Sequence, residues 1–170
     1  RLLFDYLRAL GRSPASILPA AQVAEIETNH SHAQTSRTAW LEMIASITAQ
    51  SDDPNLALKI GEAFQVRHLG VAGYVLISCA TLGEAGQQVV RYYRLMGDVG
   101  SSQVHRRGEW AEDIFQWTEA GLPPPVLEQL WAAATVTLGR WLTGRNDLAW
   151  EAHFRFPRPS DISAYERIFH

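Results

Sequence analysis

Apolar residues over the first hundred positions recur at steps of three and four, the period of helices with one buried face. In LLFDYLRAL, residues 2–10, Leu3, Tyr6, Leu7 and Leu10 share a side, Gly11 closes the segment and Ser13-Pro14 breaks it. A short helix is predicted over 20–27. A firmer one over 36–50 carries Trp40, Met43, Ile44 and Ile47 at helical spacing. Ser51-Asp52-Asp53-Pro54 ends that helix and caps the next, over 55–64. Residues 71–80 form a nearly unbroken apolar run, read as a tight turn at Gly70-Val71-Ala72-Gly73 leading into a buried helix. The run stops at Thr81, and Glu84 three residues on gives capping-box spacing, so a helix is predicted to begin at Leu82. Leu82, Ala85, Val89, Tyr93 and Met96 take one face of it, Glu84, Gln87, Gln88, Arg91 and Arg94 the other, and Gly97 stands at the C-cap position.

After Gly97 the period changes to two. Strands are predicted over 101–107 and 110–117, joined at Arg107-Gly108-Glu109 as a hairpin. Pro123-Pro124-Pro125 opens a long helix to about Thr143, closed by Gly144. AWEAHFRF, residues 149–156, alternates as a strand should: Trp150, Ala152, Phe154 and Phe156 lie on one side and Glu151, His153 and Arg155 on the other. Pro157 and Pro159 stop it, and Ser160-Asp161 caps a last short helix holding Tyr165, Ile168 and Phe169. The fold class is therefore α+β, a helix-rich single domain with a small antiparallel sheet in the second half.

Composition agrees with one domain and adds exclusions. The chain has 170 residues, of which 46% are hydrophobic, enough for a core of its own. A net charge of -3 gives no basic field to draw it to nucleic acid or an anionic membrane. Its one cysteine, Cys79, excludes an intramolecular disulfide and suits a reducing cytoplasm. No charged-then-apolar leader follows Arg1, and the longest apolar stretch falls short of the ~20 residues of a membrane span.

Catalytic spacings are missing: there is no GxSxG, HExxH, P-loop, CxxC or GxGxxG, so neither an enzyme nor a cofactor is expected. His30 and His32 lack a nearby third metal ligand and read as a solvated loop. Asp52-Asp53 reads as a cap. Glu112 and Asp113 face opposite ways on one strand, which makes them poor acid/base partners. The aromatic content is more suggestive. Tyr74, Tyr92, Trp110 and Trp117 either fill the core or line a small-molecule pocket, and Arg67 and His68 either sit on a surface loop or present charge and hydrogen bonds to a ligand.

Several blocks, taken in order, go further. Residues DPNLALKIG from Asp53, GVAGY from Gly70, TLGEA from Thr81, Arg91-Tyr92, and FRFPRPSDISAYERIF towards the end resemble the N-terminal effector domain of AraC-type bacterial transcription regulators, in the branch called the arabinose-binding type. Ala57 stands where that family usually has glycine, and Gly86 where leucine commonly follows the alanine. The resemblance implies a cytoplasmic domain spanning 1–170 that binds a small effector, dimerises, or both. It implies DNA contact only through a C-terminal helix-turn-helix half that is absent from this chain. The family's effectors are diverse, so the branch name does not make arabinose the ligand. The helix over 125–143 offers Leu127, Leu130, Trp131, Ala134, Leu138 and Trp141 as a dimer face or, equally, as core. The alternative function is a ligand-free interaction module of the same fold.

Overall fold

Two apolar stripes and a hydrophobic-all-round helix organise the first core. A computed structural model describes residues 1–28, 37–96, 100–117 and 124–169. Helix α1 (Leu2–Ala9) turns Leu3, Phe4, Tyr6 and Leu7 inward. Helices α2 (Ala20–Thr28) and α3 (Arg37–Ala49) add Val23 and then Met43, Ile44 and Ile47. The centre is α4 (Leu56–Glu62), where every residue from Leu56 to Gly61 except Lys59 is buried. A helix with so little polar surface has neighbours on several sides. Leu56, Ala57 and Ile60 join the α1–α3 core, whereas Leu58 faces a second cluster with Ala133, Val136 and Ile168.

The long helix α7 (Pro125–Thr143) lies against α4 and closes with Gly144 in the left-handed conformation at φ 65°. Leu127 and Leu130 of α7 enter the first core, and Ala133 and Val136 the second. At the chain's far end α8 (Ser163–Ile168) seats Ile168 in the second cluster, and Asp161 accepts the Ser163 N–H at 2.9 Å. Strands β1 (Gly100–Arg107) and β2 (Trp110–Trp117) pair antiparallel from Gly100 opposite Trp117 to Arg107 opposite Trp110. Gly108 makes their two-residue turn at φ 61°. Val104 of β1 rests on Gly86 of α6 (Leu82–Met96), and the Phe115 ring of β2 stands 5.9 Å from that of Trp131 on α7. The α+β class and the placement of the sheet follow the sequence expectation.

The predicted start of α6 is present with one shift. The Glu84 N–H donates to Thr81 Oγ1 at 3.1 Å, while the Glu84 carboxylate accepts from Ala80 N–H at 2.9 Å rather than from Thr81. Thr81→Ala is expected to lower stability by about 0.5–2 kcal/mol through the lost cap. Equal urea midpoints for parent and variant would contradict this.

Three expectations are corrected. Leu10 is 55% exposed, and Phe4 takes its place in the core, because α1 is too short for both ends of its stripe to be covered. Helix α5 (Val71–Ile77) is not a buried helix: Gly73 and Leu76 pack inward while Val71 is 82% and Tyr74 77% exposed. Only one side of α5 meets α6 and the 3-10 turn Val66–Leu69. Residues 149–156 keep their alternation in burial but form no ladder among the described residues. They run antiparallel along α7 instead, with the Trp150 ring over Gly139 and Arg155 bonded to Glu128. The backbone bends at Arg155 and Phe156, where the contact to Glu128 is made. Tyr93, Met96, Gly97, His30, His32 and Pro123 fall where no side chain is described.

Candidate functional site

The amphipathic pattern of α1 leaves Asp5 at the border of its apolar face, and the fold carries that border to the turn at Val66–Leu69. Asp5 Oδ2 accepts from Arg67 Nη2 at 3.0 Å and from His68 Nε2 at 3.1 Å. Arg8 flanks the pair, 3.7 Å from Asp5 Oδ1, and binds Glu27 of α2 while its guanidinium lies over the Phe4 ring. These residues, with Ile26, line a cleft of about 530 Å³ between α1, α2 and the turn.

His68 sets the geometry from below. Its side chain is only 3% exposed, and its ring meets that of Phe64 edge to face. Nδ1 accepts the Gln65 N–H at 2.9 Å, so Nε2 carries the proton and donates to Asp5. This is the neutral tautomer, and a second proton would break the bond to Gln65. Burial pushes the His68 pKa below its usual 6.5, against the pull of Asp5. For Asp5, burial raises the carboxyl, but the His68 hydrogen bond and the Arg67 charge outweigh it and hold the group below its usual 3.8.

Both shifts have the same sign for stability. The unfolded chain binds more protons in acid, so the stabilisation is full above about pH 6.5 and declines as pH falls, first through His68 and then, below about 3.8, through Asp5. The urea midpoint is expected to fall between pH 7.5 and 5.5, and His68→Gln is expected to flatten that slope. An identical slope in the variant would show that His68 does not carry it.

Three arginines, Arg1, Arg8 and Arg67, and two carboxylates, Asp5 and Glu27, all at least partly open to solvent, line this cleft. Such groups have the chemistry to hold charges of either sign, guanidinium groups for a carboxylate and carboxylates for an ammonium. Among the described residues no three His, Cys, Asp or Glu side chains are grouped to hold a metal ion.

Of the residues picked from sequence, Arg67 and His68 meet in this cleft and the others lie elsewhere. Tyr74 is on the outer side of α5, Tyr92 on α6 beneath the Arg91 guanidinium, and Trp110 beside the hairpin turn, 52% exposed. Trp117 packs against the first core. On α7, Leu127, Leu130 and Ala134 are buried within the protomer, Trp131 and Leu138 are half-buried, and Trp141 is 57% exposed. Sequence reasoning missed Asp5, Arg8 and Glu27, since charges on the polar side of short helices look like any solvated face.

Residues 11–170 match the family described as the N-terminal arabinose-binding domain of AraC transcription regulators. The chain belongs to that family. Over 95 residues this arabinose-binding-type domain is 30% identical to the ornithine utilization regulator of Pseudomonas aeruginosa. The match takes in 56% of this chain and 28% of that regulator, so the chain spans well under half of its relative's length. A ligand-binding regulatory domain of transcription control is the role these likenesses carry. Among the described residues no helix is long and apolar enough to cross a membrane.

Proposed function

We propose that this domain senses a small zwitterionic effector in the Asp5–Arg67 cleft, forms a homodimer, and in the cytoplasm controls DNA binding through a helix-turn-helix half outside residues 1–170. The observation that carries the reading is the pairing of Asp5 with Arg67 and His68 at the mouth of a cleft that also holds Arg8 and Glu27. An amino acid offers the matching charges, and a diamino acid such as ornithine offers one carboxylate for an arginine and two ammonium groups for the two acids. The relative's role in ornithine utilization agrees with that choice. The effector switches the regulator by the difference in its affinity for the two states, and opening the Arg67–Asp5 pair is the step that distinguishes them. The role is regulatory rather than catalytic.

Thermal shift of the purified chain against L-ornithine, L-arginine, putrescine and L-arabinose tests this. Saturable stabilisation by the amino acids but not by putrescine, which lacks the carboxylate, is expected to follow RT ln(1 + [L]/Kd). Arg67→Ala is expected to weaken it ~10-fold or more, through lost charge-assisted bonds worth about 1.5–3 kcal/mol. No shift with any zwitterion would sink the reading. It would leave the ligand-free interaction module, which the exposed Val71, Tyr74 and Ile77 on one side of α5 favour.

A further inference from the structure

Asp5 is held by two partners of unlike kind, and both use the same oxygen. Arg67, whose side chain is 64% exposed, and His68, whose side chain is 3% exposed, donate to Oδ2 at 3.0 and 3.1 Å. Among the described residues Oδ1 accepts no hydrogen bond, and Arg8 Nη1 stands off it at 3.7 Å. One oxygen of the carboxylate is thus anchored and the other is left unbonded at the cleft that Asp5 lines. The two anchors differ in stiffness. Nδ1 of His68 accepts the Gln65 N–H at 2.9 Å, the His68 N–H donates to the Gln65 carbonyl at 2.9 Å, and the ring meets Phe64 edge to face at 5.6 Å. The Arg67 guanidinium has no such frame, and among the described residues it bonds Asp5 alone.

We propose that His68 is a positioning residue of the sensing cleft: its Nε2–H keeps Asp5 Oδ2 in place when Arg67 lets go, so that Oδ1 stays open to a ligand ammonium. The inference rests on the zwitterion-sensing reading above and deepens it. A neutral imidazole suits the task, because it donates a hydrogen bond without adding a charge that competes with the ammonium for Asp5. A ring already fixed by Gln65 and Phe64 has little freedom left to lose on binding. Without this anchor the carboxylate is free to swing to Arg8, on the side of Oδ1.

Two substitutions separate positioning from folding, because each keeps one half of the imidazole. His68→Asn places an amide oxygen where Nδ1 accepts from Gln65 but has no group to reach Asp5, whereas His68→Gln places an amide N–H near Nε2 and gives up the acceptor for Gln65. Titration calorimetry with L-ornithine as the probe is expected to show binding weakened ~10-fold or more in His68→Asn, the loss of one bond to a charged group. His68→Gln is expected to bind close to the parent although its urea midpoint falls. Carboxyl-carbon NMR gives a reading without ligand. Burial raises the Asp5 carboxyl while the His68 bond helps hold it below its usual 3.8, so its midpoint is expected to rise in His68→Asn and to stay in His68→Gln. Unchanged affinity in His68→Asn overturns the role, as does affinity lost in both variants in step with stability. If His68→Asn does not fold, His68→Gln decides alone, and affinity lost there with the Asp5 donor kept overturns the role. A parent that L-ornithine does not bind overturns the sensing reading and this role with it, whereas a binding parent beside an unaffected His68→Asn overturns this role only.

Discussion

Gly61→Val is expected to destabilise the domain by about 3 kcal/mol or more, the cost of overpacking a closed contact. Gly61 lies on α4 where α7 crosses it. A Cβ there would meet the Leu130 carbonyl oxygen at 2.5 Å, the Ala133 Cβ at 2.6 Å and the Ala134 nitrogen at 2.9 Å. Two of the three are backbone atoms of a long helix, so no rotamer change relieves the clash and the helices must separate. Separation opens both cores together, because α4 feeds Ile60 to one and Leu58 to the other. At about 2–4 °C per kcal/mol for a chain of this size, the melting temperature should drop by about 6–12 °C. Gly86→Ala supplies a control of opposite sign. Its Cβ would find only the Val104 methyl groups at 3.7 Å, an ordinary contact. The gain in helix propensity is then about 1 kcal/mol. Calorimetry of both variants decides the matter, and a Gly61→Val melting temperature at or above the parent's would show that α4 and α7 do not meet as described.

The second large effect is expected at the other end of the chain. Ile168 is 1% exposed, in a cluster with Leu58, Ala133 and Val136, and it is the fully buried residue of α8, with Ala164 and Tyr165 packed partly against the same core. Ile168→Ala should cost about 2–5 kcal/mol, the sum of lost burial and the cavity left behind. Ile168→Val, which removes one methylene, should cost about 0.5–1.5 kcal/mol. The bond from Arg140 Nη2 to the Ile168 carbonyl at 2.9 Å, and the Arg167–Glu62 pair, involve atoms that neither substitution removes. The difference therefore measures packing alone. Urea unfolding followed by tryptophan emission reads it, Trp150 being packed against the same cluster. If the Ile168→Ala midpoint equals the parent's, α8 is not seated on α4 and α7.

Much of the scaffold was legible locally. Periodicity placed helices near α1 to α4, the capping box located α6, glycine at the turn set the hairpin, and Gly144 closed α7. Each of these signals is carried by residues within a turn or two of one another. Burial of whole helices was less legible. The run at Val71 looked buried because it is apolar, yet hydrophobicity states only that burial would be favourable, and among the described residues α5 packs chiefly on α6 and the turn at Val66–Leu69 while Val71 and Tyr74 stay exposed. The α7 residues offered as a dimer face divide for the same reason, Leu127, Leu130 and Ala134 finding α4 and the first core while Trp141 finds no cover.

By itself, then, the sequence determined the helix-rich α+β class, the order of most of its elements, the caps at Thr81 and Gly144, the hairpin turn at Gly108, and the family to which the chain belongs. Tertiary structure alone decided which apolar faces are covered, that residues 149–156 lie along a helix rather than in a sheet, and that Asp5 meets Arg67 and His68 across 62 and 63 positions. Local propensity acts between near neighbours, whereas a charge cluster of this kind arises only when core packing has brought α1 against the turn at Val66–Leu69, and nothing in either segment encodes the other.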